Sequence, residues 1–191
     1  METSDKRSHI MQGTLELIAE HGFHDAPMAE IAKKAGVAAG TIYRYFDNKD
    51  ALITDLHREL EERINVTLQE GYVVEQPLHE RFVFLMRKLL RYFIANPLHF
   101  RYMEQYYNSP YGISLRRDRL LAKSGKFDIV TNIFEEGIEV KVLKDLPVIV
   151  LFSLAFGPIV SVIRDHVLGF IDIDDALINQ ITDACWDSIK K

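Results

Sequence analysis

Apolar residues recur at helical spacing along most of the chain. Between residues 5 and 21 they fall three, four and seven positions apart, and Gly22 follows as a helix stop. A second, short helix is predicted to open at Pro27, whose fixed φ suits a first helical position. The pattern predicts a third helix over residues 38 to 46. Asn48 is a typical N-cap for a fourth helix that continues to about residue 69.

The later patterns are also helical. Further helices are predicted at about residues 78–95, 98–107, 115–136, 147–168 and 174–190. Pairs such as Asn96-Pro97 and Ser109-Pro110 separate them, and residues 138 to 143 are at most a short extended piece. The sequence therefore predicts an all-α protein.

Composition narrows the class of protein. The 191 residues are 48% hydrophobic and 27% charged, which is typical of a globular chain. The single cysteine, Cys185, excludes an internal disulfide, and no signal-peptide pattern opens the chain, so we expect a cytoplasmic protein without metal or cofactor. Residues 148 to 163 carry no charge, but they are few for a bilayer and contain Gly157-Pro158. We therefore expect a buried or dimer-forming helix there and no membrane segment.

Charge argues against a protein that coats nucleic acid. The net charge is −5, and the first fifty residues hold six Lys or Arg against eight Asp or Glu. Any DNA binding must therefore depend on a few placed groups.

Such groups lie in a predicted helix-turn-helix over about residues 27 to 46. Two short helices joined through Gly36, with Ile31 and Ile42 inward, have the spacing of this motif, whose second helix enters the major groove. The outward residues of the second helix and of the next helix start are the candidate DNA contacts. They are Ala39, Gly40, Thr41, Tyr43, Arg44, Tyr45 and Lys49.

Each candidate has a physical reason. Ala39 suits a thymine methyl, Arg44 suits guanine or phosphate, and the hydroxyls suit phosphate oxygens. Lys49 opposes the dipole of its own helix, and a phosphate partner would reverse that sign. Gly40 costs its helix about 1 kcal/mol relative to alanine, which either close helix packing or close approach to DNA would explain.

The stretch GFHDAPMAEIAKKAGVAAGTIYRYFDNKDAL, residues 22 to 52, resembles the DNA-binding region of the tetracycline-repressor (TetR) family. The resemblance implies about nine helices, a helix-turn-helix DNA-binding domain at residues 1 to 47, and a regulatory and dimerisation domain at residues 48 to 191. It also implies a homodimer on a two-fold symmetric double-stranded operator, most simply a repressor that a small-molecule ligand releases. Its positions Thr41, Tyr43, Tyr45 and Lys49 correspond to common operator contacts.

The resemblance has gaps. Ala38 and Ala39 stand where the family often has a hydroxyl residue and then lysine, and Ala26-Pro27 stand in place of hydroxyls. We therefore predict fewer phosphate contacts, and DNA binding with a shallower salt dependence, than in related regulators.

Aromatic residues are dense in the expected regulatory domain, where they either line a ligand pocket or fill a core. The candidate ligand contacts are Phe82, Met86, Tyr92, Tyr102, Met103, Tyr106, Phe127, Phe134, Phe152 and Phe156. The last two helices suit a four-helix dimer interface. The candidate interface residues are Val160, Ile163, Val167, Leu177, Ile181 and Cys185.

Two other readings stay open. One is a DNA-binding regulator without a small-molecule inducer, either constitutive or controlled by a protein. The other is a helical enzyme, for which we weighed the acids at 172 to 175, His57 with Glu61, and Cys185 as a nucleophile. Capping, a missing third metal ligand and a core thiol explain these residues more simply.

Overall fold

A computed structural model describes residues 3 to 121 and 129 to 191, and within them it is all-helical, with one isolated bridge between Leu143 and Lys190. The described helices are α1 Thr3–His21, α2 Met28–Lys34, α3 Ala39–Ile42, α4 Lys49–Gln69, α5 Leu78–Ala95, α6 Pro97–Tyr107, α7 Pro110–Leu121, α8 Ile129–Glu139, α9 Val148–Val167 and α10 Asp175–Ile189. The prediction of an all-α protein is confirmed.

The chain divides into two compact units. The first comprises Met1–Arg63 with Asn96–Lys123, and the second comprises Ile64–Ala95 with Ser124–Lys191. Helix α4 continues from one into the other. The predicted division after residue 47 falls inside the first unit because α6 packs against α1 there. That division stays a prediction about function.

In the first unit, α4 and α6 hold the N-terminal helices in place. Arg7 of α1 bonds Glu59 and Asp55 of α4, and its guanidinium lies 5.5 Å from the Phe46 ring centroid. The hydrogen bond to Glu59 is the main cause of the raised pKa of Arg7. Tyr102 of α6 is fully buried, and its hydroxyl donates to the Ile53 carbonyl at 3.0 Å. These bonds fix the base on which the short helices stand.

In the second unit, α5 packs against α8, α9 and α10. Arg81 is 5% exposed and pairs with Glu136 of α8, whose hydrogen bond is the main cause of the raised pKa of Arg81. Gly137 is required by packing, since a Cβ there would lie 2.5 Å from the Leu143 side chain. The unit therefore has a tight core around α5.

Helix α9 contains an internal proline and still packs against α10. Pro158 has no N–H, so the Leu154 carbonyl loses its partner within the helix. The Ser188 hydroxyl of α10, which donates to the Cys185 carbonyl at 2.7 Å, lies 3.3 Å from that oxygen. The contact between α9 and α10 thus partly satisfies the Leu154 carbonyl, which Pro158 leaves without a hydrogen-bond donor in its own helix.

Helix boundaries follow the sequence closely where a cap defines them. Asn48 accepts from the Ala51 N–H and Asp174 from the Leu177 N–H, both at 2.8 Å, so both predicted caps are confirmed. The helix predicted over residues 115 to 136 has other ends: α7 begins earlier, at Pro110, a favoured first helical position, and α8 ends at Glu139. The residues between Leu121 and Ile129 lie outside the described ranges, so continuity across them stays a prediction.

Candidate DNA-binding surface

The helix-turn-helix of α2 and α3, which we call the reader, is built on a tight turn between these two short helices. Helix α2 ends at Lys34 with Ala35 as its C-cap, and Gly36 adopts a φ of +66°, a left-handed conformation that favours glycine. The Val37 N–H donates to the Ala32 carbonyl at 2.9 Å, which closes the turn. Ile31 and Ile42 are fully buried beneath it. The predicted helix-turn-helix geometry is present.

The second helix is shorter than predicted. Regular α-helix covers Ala39–Ile42, and the chain then continues to Phe46 in turns in which Arg44 and Tyr45 donate three residues back. Ala38 sits at the N-cap without a side-chain cap bond, and a capping hydroxyl there is worth about 1 kcal/mol. The missing cap, together with glycine and β-branched residues, explains why the helix is short.

The candidate contacts lie on the outside of this segment. Tyr43 is 56% exposed, and Ala39, Gly40 and Arg44 are also exposed. Thr41 and Tyr45 are half-buried. The residues predicted to face DNA are therefore at least partly accessible to it, while their neighbours Ile42 and Phe46 are buried.

Gly40 is not explained by packing within the chain. No heavy atom lies within 4 Å of a Cβ built at this position. Of the two readings of Gly40, close helix packing therefore fails, and close approach to DNA remains.

Lys49, the first residue of α4, is half-buried and its ammonium donates to the Phe23 carbonyl in the corner after α1. Burial lowers the pKa of Lys49, and the neighbouring Asp50 opposes that effect. Lys49 is therefore held at the edge of the reader.

Sequence reasoning missed the residues that surround Lys49. The Phe23 ring lies 5.6 Å from the ring of Tyr111 in α7, measured between centroids, and the Tyr111 hydroxyl donates to Asp50 at 2.5 Å. Burial, followed by the hydrogen bond to Asp50, raises the pKa of Tyr111 to about 12. Adjacent polar positions such as Lys49-Asp50 carry no sequence signal for a partner sixty residues away.

The candidate ligand contacts are divided between the two units. Tyr102, Met103 and Tyr106 are buried in the first unit. In the second unit Phe82, Met86, Phe134 and Phe156 are buried, Tyr92 is half-buried and Phe152 is 41% exposed. Phe127 lies outside the described residues. Phe134, Phe152 and Phe156 form a cluster in which the last two rings stack at 4.3 Å.

Two open pockets stand out among the described residues, and none of the nine ligand candidates that the structure describes lines either one. The first, of about 290 Å³, lies beside Gly13 and Gly36. The second, of about 410 Å³, runs along α5 beside Phe84 and Arg87. The ligand site thus stays a prediction.

The dimer candidates differ in accessibility. Ile163 and Cys185 are 0% and 2% exposed and belong to the core of the chain, where burial raises the pKa of the Cys185 thiol to about 11. Val160 is exposed, and three others are half-buried: Val167, Leu177 and Ile181. Only part of the predicted set is thus available to a second copy.

Helix α9 has an outer face that the single chain leaves open. Val150, Leu154, Gly157 and Ser161 are exposed along one side of it. By length and composition alone this 20-residue helix is able to cross a membrane: an 18-residue window of it has a mean hydropathy of 1.9, and 22% of that window is buried. Leu151, Ala155 and Ile159 of the opposite side are buried in the single chain.

The residues considered for enzyme chemistry have structural surroundings. His57 is buried and stacks on Tyr106 with 3.8 Å between ring centroids. Asp174 caps α10, and Asp175 pairs with Arg91 at 2.8 Å. Across the described ranges no group of three or more His, Cys, Asp or Glu side chains is arranged to hold a metal ion.

Models of known protein families match two segments of the chain. A model for bacterial regulatory proteins of the tetR family matches residues 10 to 56, and one for the tetracyclin repressor-like C-terminal domain matches residues 77 to 190. The fatty acid metabolism regulator protein of Bacillus subtilis is 27% identical over 165 residues, 86% of this chain and 84% of its own.

Two solved structures share the fold along nearly the whole chain. A TetR-family transcriptional regulator from Vibrio parahaemolyticus is 32% identical with a TM-score of 0.75, covering 97% of this chain and 99% of its own. The regulator FadR from Bacillus subtilis, solved in complex with stearoyl-CoA, is 25% identical with a TM-score of 0.73, covering 95% and 98%.

Proposed function

The chain belongs to the TetR family of DNA-binding transcriptional regulators, and on this premise we propose that it is a cytoplasmic repressor which a small ligand releases from its operator. The observation that carries the proposal is the reader itself, a closed helix-turn-helix with Gly40, Tyr43 and Arg44 exposed. In this role Arg44 and Ala39 contact bases, while Thr41, Tyr43, Tyr45 and Lys49 contact phosphates.

A homodimer completes the reader. One helix-turn-helix covers a half-site, and two copies one helical turn of DNA apart give useful specificity. The open face of α9, with Val150 and Leu154 around Gly157 and Ser161, suits a second copy because small residues in an apolar face let two helices pack closely.

The ligand we propose carries an acyl chain. The support is the stearoyl-CoA complex of the 25% identical FadR, together with the phenylalanine cluster of α8 and α9. Phe152, exposed yet stacked on Phe156, is the point where an apolar chain would join this cluster. Phe134 and Phe156 would form the inner wall.

Ligand binding must favour one state of the dimer to affect DNA. A differential free energy of about 1–3 kcal/mol lowers operator affinity about 5-fold to 150-fold. Helix α4 is the proposed lever, because it begins at Lys49 beside the reader and continues into the second unit.

A regulator without an inducer is the second candidate. It is favoured by the burial of Phe82, Met86 and Phe134 as core residues, and because none of the nine described ligand candidates lines the pocket beside Gly13 or the pocket along α5. In that case the phenylalanine cluster serves packing alone.

The operator is tested by selection of bound sites from random DNA. We expect a sequence with two-fold symmetry whose half-site centres lie about 10 base pairs, or a multiple of that, apart. Failure to enrich any sequence at low salt would contradict DNA reading, and an asymmetric site would contradict the dimer.

The ligand is tested on the selected operator with stearoyl-CoA, and with CoA as the matched probe without the acyl chain. We expect stearoyl-CoA to lower operator affinity at least about fivefold and CoA to have no effect. Phe152→Ala should weaken the response, whereas Phe170→Ala, which removes a 79% exposed ring from the α9–α10 loop, should leave it intact. An operator affinity that stearoyl-CoA does not change favours the regulator without an inducer.

A further inference from the structure

The Lys49 ammonium is held in place by a hydrogen bond that leaves its positive charge available. The ammonium has three N–H donors, and the Phe23 carbonyl accepts one of them. A neutral carbonyl orients the group without neutralising it, so two donors and the full charge remain for a phosphate. The position of Lys49 therefore depends on the position of the Phe23 backbone.

The Phe23 backbone is in turn fixed through its ring. The ring contacts Tyr102 and Tyr106 of α6 with centroid separations of 6.1 and 6.5 Å, and Tyr111 of α7 at 5.6 Å. Tyr102 and Tyr106 are buried. The corner between α1 and α2 thus rests on α6 and on the start of α7.

Tyr111 connects to Lys49 by a second path. Its hydroxyl donates to Asp50, which follows Lys49 in the first turn of α4. The four residues Lys49, Phe23, Tyr111 and Asp50 form a closed circuit, which we call the Lys49 circuit. A movement of α7 relative to α4 would break the hydroxyl bond and move the Phe23 ring together.

We propose that Phe23 and Tyr111 are positioning residues for operator binding, which hold the Lys49 ammonium where a DNA phosphate meets it. The proposal rests on the phosphate contact of Lys49 proposed above. It makes the first turn of α7 a point at which regulation reaches the reader without any change in the recognition helix itself.

The test is a double-mutant cycle measured by operator titration across a range of salt concentrations. Lys49→Gln should lower the log–log salt slope by about two units, because the proposed dimer loses one phosphate contact in each half-site. Phe23→Leu and Tyr111→Phe should each lower operator affinity about fivefold when Lys49 is present and leave it nearly unchanged in the Lys49→Gln background.

Two variants serve as controls. Tyr107→Phe removes a hydroxyl from α6, on a ring that contacts His57 and Tyr106, and should leave affinity and slope as in the unmodified protein. Phe23→Tyr keeps the ring and should bind like the unmodified protein, which separates ring contact from a general loss of folding. Thermal unfolding of each variant checks that the chain remains folded.

The outcomes separate the two proposals. An unchanged slope in Lys49→Gln overturns the phosphate contact and with it the positioning role. A reduced slope in Lys49→Gln, with equal losses for Phe23→Leu in both backgrounds, leaves the phosphate contact standing and overturns the positioning role. Loss of binding in Tyr107→Phe as large as in Tyr111→Phe also overturns it.

Discussion

The reader and the outer face of α9 are two surfaces that a single chain leaves open, and they differ in what they present. The reader exposes small residues and polar groups, with Tyr43 and Arg44 beside Gly40. The α9 face exposes Val150 and Leu154 beside Gly157 and has no polar group larger than a serine hydroxyl until Arg164. The first surface suits a hydrogen-bonding polyanion, and the second suits another apolar surface.

The glycines of these surfaces sharpen the contrast. Gly157 precedes Pro158, whose ring disfavours helical backbone at a preceding residue with a Cβ, so the chain itself gives a reason for this glycine. Gly40 precedes Thr41 and has open space where a Cβ would stand. By contrast, a Cβ at Gly112 would lie 2.3 Å from the Tyr106 carbonyl oxygen, so the fold requires that glycine. The described part of the chain therefore accounts for Gly157 and Gly112 but not for Gly40.

The largest effect is expected from Ser161→Arg on the α9 face. Ser161 is exposed in mid-helix, so arginine is tolerated by the single chain, but in a dimer interface it is an unpaired buried charge that costs several kcal/mol. We expect a monomer by light scattering and at least about a 100-fold loss of operator affinity, because one half-site remains for each chain.

Helical content serves as the internal control for this variant. It should match that of the unmodified protein, since Ser161 supports no core contact, whereas the unfolding temperature should fall because dimerisation no longer stabilises the native state. A dimer that survives Ser161→Arg would show that the α9 face is not the interface, and its exposed apolar residues would then need another partner.

A smaller effect is expected from Gly40→Leu in the reader. Leucine favours helix and meets no atom of the chain, so the fold is kept, while its side chain occupies the space assigned to DNA. We expect a 10-fold to 100-fold loss of operator affinity, corresponding to about 1–3 kcal/mol of lost base contact. The dimer should persist, which makes this variant and Ser161→Arg controls for each other.

Gly40→Ala measures how close the DNA comes. One methyl group should cause an intermediate loss if the backbone approaches the bases within van der Waals distance. Unchanged affinity in Gly40→Leu would contradict the approach, and Gly40 would then have no explanation in either the chain or its partner.

The same two regions show how far sequence reasoning extends. Caps are local, so Asn48 and Asp174 were predictable from side-chain chemistry and spacing, and the helix-turn-helix followed from Gly36 between buried apolar positions. The length of α3 was not predictable from apolar spacing, because Ile42 and Phe46 are inward whether the segment between them is helix or turn.

Contacts distant in sequence set the limit. The bond from Tyr111 to Asp50 joins residues 61 positions apart, and the contact of Phe23 with α6 depends on how the chain folds back. Among the dimer candidates, the sequence pattern did not separate core from surface residues, for a related reason. Ile163 and Val160 are both apolar and three residues apart, and packing against α10 and α5 decides that the first is buried.

The smallest effect is expected from Ala39→Lys, which adds a flexible positive charge to the reader at an exposed position. Ala39 is exposed at the first position of α3, and the family resemblance predicts a phosphate-binding lysine there. One added phosphate contact in each half-site should steepen the log–log salt slope by about two units and raise affinity at low salt. Ala39→Gln, of similar length without the charge, should leave the slope unchanged. A slope that lysine fails to steepen would mean that no phosphate lies within reach of α3's first turn, so that operator recognition would depend on Gly40 and Arg44 rather than on added charge.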